Sequence, residues 1–468
     1  MQEIQGVGMV NTNHTSDDIS DLKSSALSHL WMHNRDWVKT GEDGGPDIMV
    51  EGNGIRVTDI QGKTWIDVNG GYNSVNAGYG RKKIADRSAD QMRRLQYFPQ
   101  GTTTAPLIQL SEKIASISPG NLQRTWPVSG GSEANETAIK IARSYHKRTG
   151  DTGRYKIISR VGSYHGATGG VMWLGGTGAI RSDYEPAIPG MVYAPQPNPY
   201  RCQFGSNSAE ECAIKCAQAI EDLILLHGPE TIAALIAEPV SASSIAAVPG
   251  DPYWPMIRKI CDKYGVLLIA DEVITGFGRT GKMFSTEHWD IVPDLMTVAK
   301  GITSSYLPLA ATICTTGVSE VFAGEQNTFK QALTFGGHPV CAEAALANIE
   351  IIEQEKLVEN SANVGKYFLK KLNGLKEIHP LIGDCRGLGL LLGIELVKDQ
   401  ETKESFTPES GMADKLSKAF RRNGLILFST EKGFTVGPPL CIIEKEVDEI
   451  VAKIDASLSE VETEIKIG

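Results

Sequence analysis

The chain has 468 residues, of which 41% are hydrophobic and 22% charged, an ordinary globular balance with ample apolar material for two or three domains. Its net charge of −10 argues against a nucleic-acid partner or an anionic membrane surface. No apolar run approaches the length of a membrane span, and residues 1–18 lack the basic and apolar regions of a secretory signal, so a cytoplasmic protein is expected.

In chain order, residues 1–20 are polar, and residues 24–37 suggest a short amphipathic helix carrying Trp31, His33 and Trp37. The run DIMVEGNGIRVTDIQGKTWIDV alternates apolar and polar residues around glycine turns, which predicts a small antiparallel meander. Residues 69–80 form a Gly/Asn-rich loop with two tyrosines, followed by helical patterns over 82–95 and 105–117. From Arg124 onward strand and helix patterns alternate, as in a doubly wound, mostly parallel sheet. The last part returns to α+β character, with a Gly-punctuated strand pair over 386–399. This organisation divides the chain into an N-terminal segment (1–68), a large α/β domain (69–338) and a small α+β domain (339–468), the small domain being completed by part of the N-terminal segment.

Within the alternating region, functional groups recur at predicted strand ends. In an open α/β sheet these ends face the crevice where ligands bind. The first end carries Ser129, Gly130, Gly131 and Ser132 at a helix N-terminus, where free N–H groups and the helix dipole favour an anion. The second carries Tyr164, His165 and Gly166, an aromatic face beside a glycine. Glu238 stands at the third. The runs 266–270 and 295–299 are short, apolar and bounded by turns, and deliver Asp271 with Glu272 and then Lys300. Each group alone could be a cap or turn residue. Together they demand a common ligand.

Metal chemistry is not expected: His165, His288 and His338 show no ligand spacing. Cys212 and Cys216 share a helical face, but there is no CxxC pair. A hydrolase triad lacks its G-x-S-x-G elbow. Pyridoxal 5'-phosphate uses every group in the set: its phosphate needs the helix end, its ring a stacking face, its pyridine nitrogen a carboxylate, and its aldehyde a lysine.

The motifs GGSEANETAIKIAR, SYHG, AEPV, ADEVITGFGRTG, TVAKG, TFGGHP and VGPPLCI resemble, in order and spacing, the class-III pyridoxal phosphate aminotransferases, and among them the ω-amino acid and amine:pyruvate enzymes. The resemblance covers roughly residues 50–455. It implies a fold-type-I homodimer, or a tetramer of such dimers, with active sites at the subunit interface, and a ping-pong transfer from an amine donor to an oxo acid. Lys300 resembles the Schiff-base lysine and Asp271 the partner of the pyridine nitrogen. Val273 and Tyr164 resemble the residues below and above the ring. Gly130, Gly131 and Ser132 match the phosphate cup, with Gly130 where relatives usually carry serine. His165 and Gly166 fall within the matched SYHG motif, and Glu238 matches a family glutamate near the ring's 3-hydroxyl. Thr334 is similar to the threonine that reaches the neighbouring subunit's phosphate.

The chain also departs from the family pattern. Gln331-Ala332 replace a frequent His-Gly, Phe335 a frequent Tyr, and VSASSIAA a Gly-rich run after Glu238. Phe428 stands near the place of the mobile arginine of many amine:pyruvate relatives. Trp31, Tyr72, Trp173 and Phe428 are therefore expected to line an apolar substrate pocket, with Lys432 or Arg181 as candidate partners for a substrate carboxylate. A racemase, aminomutase or decarboxylase on the same scaffold, or a non-catalytic cofactor-binding protein, are the alternative readings.

Overall fold

A computed structural model describes residues 15–99, 101–175 and 181–465, so most of the polar leader lies outside the described residues. Strands β1 (Met49–Asn53), β2 (Arg56–Asp59) and β3 (Thr64–Asp67) form the expected antiparallel meander. The helix expected over 24–37 is two helices instead, Ser16–His29 and Trp37–Glu42. Capping explains the difference. Thr15 and Asp18 form a reciprocal capping box that starts the first helix early, and the Asp36 carboxylate accepts from Val38 N at 2.9 Å to start the second.

The central sheet comprises β4 (Leu122–Val128), β5 (Lys156–Arg160), β6 (Met191–Ala194), β7 (Ile232–Ala237), β8 (Leu267–Asp271), β9 (Leu295–Val298) and β10 (Ala310–Thr315), in spatial order β4-β10-β9-β8-β7-β5-β6. From β9 to β6 every pairing is parallel, and β7 and β8 are buried along their whole length, as expected of strands covered on both faces. β10 alone runs against both its neighbours. The connection between β9 and β10 holds only a 3-10 turn at Lys300–Ile302, too little for the crossover helix a parallel partner requires. The helix Gly131–Thr149 packs on one face, and Ala209–His227 with Tyr253–Tyr264 on the other.

The C-terminal part forms a second sheet from β11 (Ile382–Leu388), β12 (Leu391–Leu396), β14 (Ser429–Thr430) and β15 (Gly433–Val436). Between them β13 (Leu425–Ile426) leaves that sheet and adds parallel to β3, Leu425 opposite Ile66. The end of the chain thus completes the sheet begun near its start. No helix among the described residues is long and apolar enough to cross a membrane.

Candidate active site

The sheet register sets the site. Ala237 of β7 lies beside Ala270 of β8, and Asp271 beside Thr297 of β9, so Glu238, Asp271 and Lys300 emerge at one edge. Asp271 is 4% exposed and fully engaged. One oxygen accepts from Asn135 Nδ2 at 2.8 Å and His165 Nδ1 at 2.7 Å; the other accepts from Val273 N at 3.1 Å and Thr297 Oγ1 at 3.4 Å. Thr297 Oγ1 also donates to Asn135 Oδ1 at 2.8 Å, which fixes the amide's orientation.

Glu238 accepts from Arg160 Nη2 at 3.0 Å, Tyr164 N at 3.1 Å and Ser241 Oγ at 3.2 Å. Burial would push its carboxyl up, but His165 and Arg160 hold it below the usual range. His165 shows the converse: burial disfavours its charge, and Glu238 and Asp271 outweigh that and raise it. His165 Nε2 is buried with no hydrogen-bond partner among the described residues.

Lys300 is the uncommitted amine of this set. Burial pulls its amine down to about 8, against the pull of Asp271 and with the help of Arg279. Its side chain makes no hydrogen bond or ion pair with any described residue, and its backbone sits at φ 45°, a strained conformation of the kind that concentrates at functional sites. Gly301 beside it cannot carry a side chain, because a Cβ there would stand 2.4 Å from Asn76 Nδ2. That amide donates to Phe277 O at 2.9 Å and accepts from Arg279 Nη2 at 2.8 Å, tying the 69–80 loop to the site floor.

The adjoining helix Gly131–Thr149 starts without a side-chain cap. Gly130 is extended, and a Cβ there would point into open space; a Cβ at Gly131 would stand 3.0 Å from Val273 Cγ1. Gly166 adopts φ 137°, and a Cβ there would strike Ser132 Oγ at 2.6 Å. Ser132 Oγ accepts from Ala167 N at 3.1 Å. The result is an uncapped cradle of N–H groups beside the half-exposed Tyr164 ring.

Glu272, delivered by the same strand as Asp271, turns away. It is fully buried and accepts from Ser285 N, Thr286 N and the Thr275 hydroxyl, and burial raises its carboxyl to about 7. Its role is to hold the chain at 285–286.

The aromatic residues expected in the pocket separate into three places. Tyr72 stacks on Phe428 with centroids 6.1 Å apart and planes 13° from parallel; it is 66% exposed. Trp31 is 79% exposed and packs edge-on against Trp37, while Trp173 is 3% exposed and so presents no open wall. Arg181 is engaged by the Tyr193 hydroxyl and lies over Trp173, and Lys432 makes no side-chain contact with these rings. Thr334 lies on an exposed turn, its carbonyl accepting from Tyr97 Oη at 3.0 Å. Sequence reasoning missed Arg35, whose guanidinium lies 5.1 Å from the Phe428 centroid. It also missed Asn135, Thr297 and Arg160, which act only through contacts distant in sequence.

These residues fit pyridoxal phosphate. The cradle at 130–132 suits a phosphate, Tyr164 and Val273 suit the ring's faces, Asp271 suits a protonated ring nitrogen, and Lys300 is an uncommitted amine of depressed pKa.

Comparison with known proteins agrees with the geometry. A sequence profile of the family described as Aminotransferase class-III matches residues 40–458. A taurine–pyruvate aminotransferase of Bilophila wadsworthia is 39% identical over 457 residues, covering 95% of this chain and 98% of its own. The crystal structure of an (S)-enantioselective omega-transaminase from Thermomicrobium roseum superposes with TM-score 0.92 at 39% identity, covering 94% of this chain and 98% of that one. An amine transaminase from an uncultivated Pseudomonas species, solved in its PLP-bound form, superposes with TM-score 0.88 at 32% identity over 92% of this chain and 98% of its own. On its strand-end lysine, its buried carboxylate and this end-to-end likeness, the chain belongs to the class-III aminotransferases, enzymes dependent on pyridoxal phosphate.

Proposed function

We propose that this enzyme moves an amino group from a primary amine or ω-amino acid to pyruvate. The observation that carries the reaction type is the uncommitted Lys300 amine just past the end of the strand beside that of Asp271. When bound, the cofactor supplies an aldehyde to carry the amino group and a ring to absorb the electron pair released at the donor carbon. The residues around it do the rest. Gly130, Gly131 and Ser132 would hold the phosphate, Tyr164 and Val273 would flank the ring, and Asp271 would keep the ring nitrogen protonated. His165, Asn135 and Thr297 hold Asp271 in place. Lys300 would hold the cofactor through its amine and, with that amine free, its Nζ would be the base that takes the proton from the donor carbon.

Donor choice rests on the rim. A carboxylate or sulfonate cannot be desolvated without a partner, and Phe428 supplies none. Arg35, laid on Phe428 beside Tyr72 and unpaired with any described acid, supports donors whose acid group lies far from the amine. The likeness to a taurine–pyruvate aminotransferase, whose donor name denotes an aminosulfonate, points the same way. Steady-state rates on matched donors test this. Pyruvate should outperform 2-oxoglutarate, and Arg35→Ala should raise KM for acid-bearing donors about tenfold, ~1.4 kcal/mol, without altering plain amines. Faster turnover with 2-oxoglutarate, or an Arg35 variant indifferent to the acid group, overturns the substrate reading.

The active unit in this reading is a homodimer in the cytoplasm. All eight cysteines are free, in keeping with a reducing compartment. Thr334 stands beside exposed Phe335, whose ring meets Tyr97, an apolar surface suited to a second copy. If Thr334 serves the partner's phosphate, mixing Lys300→Ala chains with Thr334→Asp chains should recover activity that neither parent has, because one site in each hybrid is intact. No recovery in verified hybrids, or full activity in a monomer, refutes the shared site.

A further inference from the structure

On the sheet face remote from the helix Gly131–Thr149, three cysteines converge. Cys212 and Cys216 lie four residues apart on the helix Ala209–His227, hence on one face; both are fully buried, with sulfurs 4.0 Å apart. The 3-10 turn Pro199–Arg201 ends at Cys202, and its sulfur completes a triangle in which all three atoms lie within 4.8 Å of one another. The sequence hid this, because Cys202 has no motif spacing to the other two. No histidine or carboxylate among the described residues joins the group.

We propose that Cys202, Cys212 and Cys216 form a trigonal thiolate site for a soft, thiophilic cation, monovalent copper above all. Metal–sulfur bonds of about 2.3 Å in a trigonal plane place the sulfurs roughly 4.0 Å apart, and the helical pair already stands at that separation. Hard cations require oxygen ligands, and structural zinc closes its shell with four donors, whereas three sulfurs with no nitrogen or oxygen suit a soft monovalent ion. The surroundings also suit a site. Cys216 Sγ is 3.7 Å from Gln196 O and Cys202 Sγ 3.3 Å from Ser206 Oγ, contacts that orient the two sulfurs. Cys202 is only half-buried, which leaves an entry path.

Binding breaks three S–H bonds, forms three Cu–S bonds and releases three protons to solvent, and copper stays monovalent throughout. Affinity must therefore rise with pH.

The test is anaerobic titration of the holoenzyme with Cu(I) against a chromogenic Cu(I) chelator, followed by X-ray absorption at the copper edge. One equivalent per chain with three sulfur neighbours is expected. Cys202→Ser, Cys212→Ser and Cys216→Ser should each weaken retention roughly 100-fold, while Cys314→Ser, buried on the other face of the sheet, should not. Transaminase activity reports the folding of each variant, and Cys202→Ser, at a half-buried turn, keeps the test open if a helical variant fails to fold. Copper lost wholly to the chelator, retention indifferent to all three substitutions, or a two-sulfur signature overturns the site.

Discussion

Substituting Lys300 by Ala should reduce amino transfer by at least about 10⁴-fold, the scale on which removal of a central catalytic group acts. The loss should not come from unfolding. Lys300 is held in the folded chain with its amine lowered to about 8, so below that pH the fold carries a buried charge that the unfolded chain solvates freely. The sign follows directly. Between about 8 and the ordinary lysine value the unfolded chain binds more protons, stability rises with pH across that window, and below it the full penalty applies. Removing the amine removes the penalty, so the cofactor-free variant should melt no lower than the cofactor-free parent at pH 7. In the parent, borohydride should fix the cofactor on Lys300. The rate of cofactor capture by the empty protein should fall about tenfold per pH unit below about 8, as neutral amine is lost. A label on another lysine, or capture indifferent to pH in this range, would remove Lys300 from its role.

The groups proposed to meet the cofactor were legible because each stands at the end of a strand that is itself easy to read. LLIAD and LMTV are too short and too apolar for anything but buried strands, so Asp271 and Lys300 had to emerge at a sheet edge. The groups that position them were not. Asn135 lies inside a helix and reaches Asp271 across 136 positions of sequence, and Arg160 reaches Glu238 across 78. Nothing in local periodicity announces such a pairing. The same limit concealed the direction of β10, which depends on the length of one connection, and the departure of β13 to pair with β3. The N-terminal helices were misjudged for a different reason. The amphipathic pattern over 24–37 suggested one helix, whereas the caps at Thr15 and Asp36 decided the boundaries. Arg35 lies in the turn between those two helices, so its approach to Phe428 followed from a boundary the apolar pattern did not reveal.

Asp271→Asn isolates the electrostatic part of the site from its shape. The amide is nearly isosteric with the carboxylate, and its oxygen can still accept from Asn135 and from His165. Phosphate and ring contacts at 130–132, Tyr164 and Val273 are untouched, so the variant should still take up cofactor in stoichiometric amount. What is lost is negative charge. His165 owes part of its raised pKa to Asp271, so it should lose its proton at lower pH in the variant, with Glu238 alone left to favour the cation. In the proposed arrangement the ring nitrogen loses its acidic partner, and with it the site loses its means of stabilising charge that develops at the donor carbon. Removing one preorganised electrostatic group of this kind costs about 10²–10³ in kcat, with KM for the donor little changed because the rim is intact. Two readouts separate this from a structural defect: the histidine titration followed by NMR, and cofactor content measured on the same sample as the rate. Near-normal turnover with full cofactor loading would show that Asp271 is a structural carboxylate, as Glu272 beside it is.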